Sequence, residues 1–269
     1  MEINKSGFYI HNIKRLGQCL ALFKSESEVR LVLCYLDGTI TVSSLLLANV
    51  ALLHVVLQPT QSMDESTILL QTEKDTTRPT LSLYLSTTML SRALSEANKF
   101  NATYCVLYPS EEGMALVISS FDARNREMST LSVHHLDPQT DMLDTLPPIE
   151  RCTGQIEITR PARVLSEYFG TNAHTEITTG PRRLIWTTKD TLLTTRYNLY
   201  CTERDRLDTP LVQTFPKGIM VFIKQFLLFL GHMDCTLTLG TDQPLHVYNP
   251  PTSTSGLSVD LISGYMEEP

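Results

Sequence analysis

The sequence predicts an α+β fold of antiparallel sheets, arranged as two similar domains that each contain two similar halves. Two observations predict it. A short amphipathic helical stretch recurs near residues 12, 87, 161 and 222 of the 269-residue chain. Alternating, β-rich segments fill the sequence between these stretches and are joined by tight turns, which antiparallel pairing permits and parallel pairing does not.

The helical stretches come first because they set the repeat. The first opens at Asn12, a good N-cap residue, and places Ile13, Leu16, Leu20 and Phe23 at i, i+3, i+7 and i+10. The second follows Thr87-Thr88 and aligns Leu90, Ala93, Leu94 and Ala97. The third opens with Pro161, which suits a first helical position, and takes its apolar side from Val164, Leu165, Tyr168 and Phe169 before a stop at Gly170. The fourth carries Ile223, Phe226, Leu227 and Leu230 and stops at Gly231. Each spans about ten residues, or ~15 Å. Helices this short are marginal alone, so each must be pinned to a sheet by its apolar stripe.

The strands follow in order. Glu28–Leu36 and Thr39–Leu47 flank Asp37-Gly38, a hairpin signal. Ala48–Leu57, Thr67–Gln71 and Thr80–Ser86 lead into the second helix. Ala102–Tyr108 and Met114–Phe121 form a hairpin around Gly113, and Glu127–His135 ends the first half. The order then returns with Gly154–Thr159, His174–Thr179, a Gly180-Pro181 turn, Arg182–Thr188 and Thr191–Cys201. The last quarter gives a strand at Gly218–Phe222, the fourth helix, and strands at Cys235–Leu239, Leu245–Tyr248 and Leu257–Ile262. Between the halves, DPQTDMLDTLPPIER has neither periodicity and reads as an extended connector. The expected boundaries are a domain over 1–135, a connector over 136–152 and a domain over 153–269.

Charge supplies the functional signal. Lys14 and Arg15, Arg92, Arg163 and Lys224 place a basic residue on every helical stretch. A solvated helix face accounts for any one of them. Their recurrence favours a shared positive surface, because the macrodipole disfavours cations near helix starts. The chain as a whole is acidic, with 22 Lys+Arg against 29 Asp+Glu and a net charge of −7. Such a chain binds nucleic acid only through cations gathered on one face.

Other classes lack their signals. No uninterrupted run of 18 apolar residues occurs, so no membrane partner is expected. The N-terminal Met-Glu-Ile-Asn-Lys carries no apolar signal core. Cys19, Cys34, Cys105, Cys152, Cys201 and Cys235 form no CxxC pair, which leaves zinc and redox motifs unsupported. Cys34, Cys105 and Cys235 lie in apolar strands and read as small buried hydrophobes in a reducing compartment. There is no phosphate-cradling glycine loop, GxSxG or HExxH, so no enzyme, catalytic residue, metal or cofactor is expected. His134-His135 would point to opposite faces of a strand. Glu111-Glu112 and Glu267-Glu268 read as solvated charge, and Trp186 as core or interface packing.

Two domains of paired strand–helix–strand units and an extended connector resemble the sliding clamps of the PCNA type over nearly the whole chain. NIKRLGQCL is similar to the first clamp helix, and GIMVFIKQFLLFLGHMDCTLTLGTDQPLHVYN to the last strand–helix–hairpin with its proline, Pro244. Within that superfamily, NIKRLGQCLALF, RPARVLSE, GPRRLIWTT and LSVDLISGY most resemble the Rad-nine subunit of the DNA-damage checkpoint clamp, the nine-one-one heterotrimer. PSEEGMALVISS and LYLSTTMLSRALSEA are also similar to a Hus-one-like subunit.

The resemblance implies a two-domain DNA-clamp fold, with antiparallel sheets outside and four short helices on the inner face of a ring-shaped trimer. It implies that Lys14, Arg15, Arg92, Arg163 and Lys224 meet the backbone of double-stranded DNA without reading sequence. It implies a partner-peptide pocket at Leu45, Leu143, Leu146, Ile149, Pro244 and Leu261, with Asp260 standing where a pocket tyrosine is expected. The implied partners are two homologous clamp subunits, a clamp loader, and repair and checkpoint proteins, in the nucleus. By analogy, the edges that join subunits are Met114–Phe121 and His174–Thr179. The alternatives are a homotrimeric replication-type processivity clamp, cellular or viral, and a DNA-independent interaction protein on the same fold.

Overall fold

The computed structural model describes residues 7–11, 13–24, 26–46, 51–58, 70–72, 80–99, 102–136, 156–169, 174–189, 192–207, 210–240, 244–249 and 257–263. Asn12, Gly170 and the connector beyond Leu136 lie outside them. The first half runs β1 (Phe8–Ile10), α1 (Ile13–Leu20), β2 (Glu28–Cys34), β3 (Thr39–Leu46), β4 (Ala51–Leu57), β5 (Leu70–Thr72), β6 (Thr80–Ser86), α2 (Thr87–Lys99), β7 (Tyr104–Pro109), β8 (Ala115–Phe121) and β9 (Glu127–His134). The second runs β10 (Ile156–Pro161), α3 (Ala162–Ser166), β11 (His174–Gly180), β12 (Arg183–Lys189), β13 (Thr194–Tyr200), β14 (Arg206–Leu207), β15 (Val212–Phe215), α4 (Lys217–Leu230), β16 (Asp234–Leu239), β17 (Leu245–Asn249) and β18 (Leu257–Ser263).

The two halves repeat one topology. The order β5-β1-β7-β8-β9 in the first half recurs as β14-β10-β16-β17-β18 in the second. Likewise β4-β3-β2-β6 recurs as β13-β12-β11-β15. Each strand therefore corresponds to the one nine places later, and α1 and α2 correspond to α3 and α4. By contacts the chain forms two compact units. One holds Met1–Ser44, His54–Leu146 and Pro251–Val259, and the other holds Leu45–Leu53, Pro147–Pro250 and Asp260–Pro269.

Period-2 burial drives the sheets. β2 and β4 alternate buried and half-buried residues, so that Val29, Leu31, Leu33, Leu53, Val55 and Leu57 share the core. The β2–β3 hairpin closes through Tyr35–Gly38, with Gly38 in the left-handed region at φ 68°. The helices cover the sheets in pairs, α1 against α2 and α3 against α4. Ile13, Leu16, Leu20 and Phe23 are all buried, as the spacing predicts. Trp186 is wholly buried against Tyr168 and Phe169, which makes it core.

Several expectations are corrected. Gly218–Phe222 is helix, since α4 starts after Pro216, and Ile219, Met220, Phe222, Ile223, Phe226, Leu227 and Leu230 form its buried side. The β-branched and aromatic run reads as strand, but the tertiary contact of a full helical stripe outweighs that propensity. The strand expected there is Val212–Phe215, and β1 and β14 are also additional. Val164 faces solvent, and Ala162, Leu165 and Ser166 supply the buried side of α3. Cys34 is half-buried, within reach of Asp37, whereas burial pushes the Cys105 and Cys235 thiols up to about 12. Met114–Phe121 and His174–Thr179 are not edges. β8 is paired on both sides by β7 and β9, and β11 by β12 and β15, whereas β9 and β13 are open strands, two of the six sheet ends among the described residues with β5, β6, β14 and β15.

One ion pair locks β13 to β10. Arg160 donates from both terminal nitrogens to the two oxygens of Asp205, at 2.8 and 2.6 Å, and from Nη2 to the Tyr200 carbonyl at 3.2 Å. Asp205 is 1% exposed and also accepts from the Thr202 amide and hydroxyl. Burial alone would raise the Asp205 carboxyl, but the hydrogen bonds from Arg160 and Thr202 outweigh it and hold it below the usual carboxylate range. Its stabilisation is therefore complete above the unfolded carboxylate value of about 4, and is lost as pH falls through the lower folded value. Arg160→Ala strands the carboxylate and is expected to cost ~3–5 kcal/mol at pH 7. Urea denaturation should show the gap to wild type narrowing as pH falls below about 4 and the carboxyl takes up its proton.

Candidate nucleic-acid interface

The polar side of each helix is set by what its apolar side must bury. In α1, Ile13, Leu16, Cys19 and Leu20 are buried and Lys14 is exposed. Arg15 lies on the same helix, and its side chain is outside the described set. In α2, Thr87, Leu90, Ala93, Leu94 and Ala97 are buried, which turns Arg92 to solvent. Lys99 lies about two turns further on and pairs with Glu96 at 2.6 Å. That bond, with Arg92 adding to it, lowers the Glu96 carboxyl.

In α3, Arg163 is exposed beside exposed Val164. Its amide donates to the Gly231 carbonyl at 2.7 Å, and the Ala162 amide to Met233 at 2.8 Å. These bonds set the start of α3 against the end of α4, where a cation is favoured by the macrodipole. In α4, Lys224 is half-buried and mid-helix rather than near the start, because the helix begins seven residues earlier at Lys217. Lys217 is exposed and was missed, since Gly218–Phe222 reads as strand.

Among the described helical side chains, six cations (Lys14, Arg92, Lys99, Arg163, Lys217 and Lys224) stand against one carboxylate, Glu96, with Glu167 following just after α3. The balance is opposite in sign to the net charge of −7 over the whole chain. Such faces attract phosphate without reading bases. His134 and His135 do separate, as expected. His134 is exposed, whereas His135 accepts the Tyr84 amide through Nδ1 at 3.0 Å. No group of three or more metal-ligating side chains occurs among the described residues.

The residues expected to hold a peptide are divided. Leu143, Leu146 and Ile149 lie outside the described residues. Leu45 in β3 and Pro244 before β17 are half-buried. Leu261 is wholly buried, on the core face of β18 with Leu257 and Val259. The opposite face of β18 carries Asp260, whose Oδ1 lies 3.1 Å from Nε2 of wholly buried His246. Sequence reasoning named Asp260 but not its histidine, since pairing between separate strands leaves no local signal.

No protein-family model and no curated protein sequence matches the chain. Among solved structures it is similar to the Proliferating Cellular Nuclear Antigen of Entamoeba histolytica, with a TM-score of 0.70 and 15% identity, over 97% of this chain and 99% of that one. The likeness is one of fold, and it covers both units. The chain therefore has the α+β, two-domain clamp fold of antiparallel sheets with few helices.

Because these cations point to water, none is needed for folding. Lys14→Ala, Arg92→Ala and Lys224→Ala should each move a thermal melt by no more than a degree or two. Arg163→Ala should move it most of the four, because it alone sits against a helix end.

Proposed function

We propose that the chain is a non-enzymatic subunit of a ring-shaped clamp that encircles double-stranded DNA. The observation that carries this reading is the joining of a full-length clamp fold to cations on the solvent side of all four helices. The ring assembles head to tail with two homologous subunits in a nuclear DNA-damage checkpoint complex. A clamp loader places it, and it recruits repair and checkpoint proteins through the outer sheet. The stretches similar to the Rad-nine subunit support the checkpoint assignment over the Hus-one-like one.

The open strands support assembly. β9 exposes Glu127 and Met128, and β13 exposes Arg196, Tyr197 and Tyr200 after the exposed Leu192 and Leu193. One edge thus offers a carboxylate and the other a guanidinium, with apolar side chains beside each. This complementarity also favours a second reading, since one chain carries both halves of a head-to-tail joint and could close a homotrimer of the replication type.

Two measurements test the reading. The mass of the purified assembly should be that of a monomer alone and of a three-chain complex with the homologous subunits. A stable homotrimer would select the second reading. Met128→Asp with Tyr197→Asp should block either assembly and leave the subunit folded. Charge reversal of Lys14, Arg15, Arg92, Arg163 and Lys224 together should release the assembled ring from duplex DNA. It should also flatten the dependence of log affinity on log salt, by roughly 0.9 per lost phosphate contact. Unchanged retention by that variant would leave the DNA-independent interaction protein as the account.

A further inference from the structure

Asp260 of β18 stands on the sheet face of β16–β18 that is turned away from the Leu237 and Val247 side, a face that exposed Asp234 at the start of β16 shares. Thr236 pairs with Tyr248 and Thr238 with His246, so these four side chains share one face, and Leu237 and Val247 share the other. The bond from His246 to Asp260 places Asp260, and with it Ile262, on the same face. An ionised carboxylate only accepts, so Nε2 carries the imidazole proton and donates to Asp260. Nδ1 is then a bare, buried nitrogen without a partner. The ring is fully enclosed and lies against Tyr248 at a centroid distance of 4.8 Å, tilted by 31°.

The carboxylate is thus fixed from below while remaining 17% exposed above. Pro244, Tyr248 and Ile262 around it are half-buried. Among the described residues no Lys or Arg pairs with Asp260, and its one described side-chain partner is His246. A carboxylate held in half-apolar surroundings without a Lys or Arg partner is costly, and a ligand cation reduces that cost.

We propose that this face binds a partner peptide through a basic side chain, Lys or Arg, seated on Asp260. The apolar neighbours of that basic residue in the peptide rest on Pro244, Tyr248 and Ile262. The inference rests on the outer sheet being the partner-docking face, and it names the chemistry of what docks there. An aromatic anchor is disfavoured, since it would bury the carboxylate without a donor.

Fluorescence anisotropy tests it with the whole protein and three labelled ten-residue peptides that differ only in a central Arg, Phe or Glu between leucines. The Arg peptide should bind at least about tenfold tighter than the Phe peptide, as a charge-assisted hydrogen bond warrants, and the Glu peptide should bind most weakly. Asp260→Asn keeps the shape and should erase the preference. A Phe peptide that binds as well as the Arg peptide overturns the proposal and makes the face an aromatic-recognising groove. An Arg preference that survives Asp260→Asn, failure of every peptide to bind, or self-association lost in Asp260→Asn also overturns it. Salt-dependent DNA retention of the same preparations reports separately on the clamp reading.

Discussion

The constraint on which the structure depends is that its helices are too short to stand alone. They run from five residues in α3 to fourteen in α4, at or below the length at which an isolated helix holds in water. Each exists because its apolar stripe is shared between a partner helix and a sheet. The pairings α1 with α2 and α3 with α4 follow from that need. The consequence for function is geometric. Once the stripe is committed to the core, the rest of each helix is left to solvent and can change its charge without disturbing the fold.

That freedom explains how an acidic chain can carry basic helices. Charges farther apart than about 8 Å are largely screened at physiological ionic strength, so the acidic remainder acts weakly on a phosphate held at the helices. A single exposed cation is worth little there, and several acting together set the attraction. The positions are not equivalent. Arg163 is partly explained by the α4 terminus it adjoins, Lys99 by Glu96, and Arg92 more weakly by the same Glu96, whereas Lys14 has no such local account among the described residues.

Much of the fold was legible because it rests on local periodicity. The stripes of α1 and α2 and the strands β2 and β9 could be placed within a residue or two, since their burial follows the periods of helix and strand. What failed was decided elsewhere in the chain. Gly218–Phe222 has the composition of a strand, and only its contact with α3 and the sheet makes it helical. The edges were misplaced because β8 and β11 differ from β9 and β13 in neighbours rather than in pattern. In the candidate interface, Lys14, Arg92 and Arg163 were legible as the polar side of a stripe. Lys217 was hidden by the misread strand, and His246 by its pairing with another strand.

The open strands show how the repeat and the charge pattern bear on each other. A lone sheet edge normally carries lysine, proline or a bulge to prevent unwanted pairing. β13 has neither lysine nor proline, and β9 has neither within Glu127–His134. The one register shift between β8 and β9 lies at the first turn of β9, leaving most of the strand regular. Exposed Leu192, Leu193, Tyr197 and Tyr200 make the β13 side a liability for a solitary chain. The Arg160–Asp205 pair, with its bond to the Tyr200 carbonyl, holds the end of that same strand in place. An edge that is unguarded, regular and anchored from behind by a buried ion pair has the physical character of a joint rather than of a free surface.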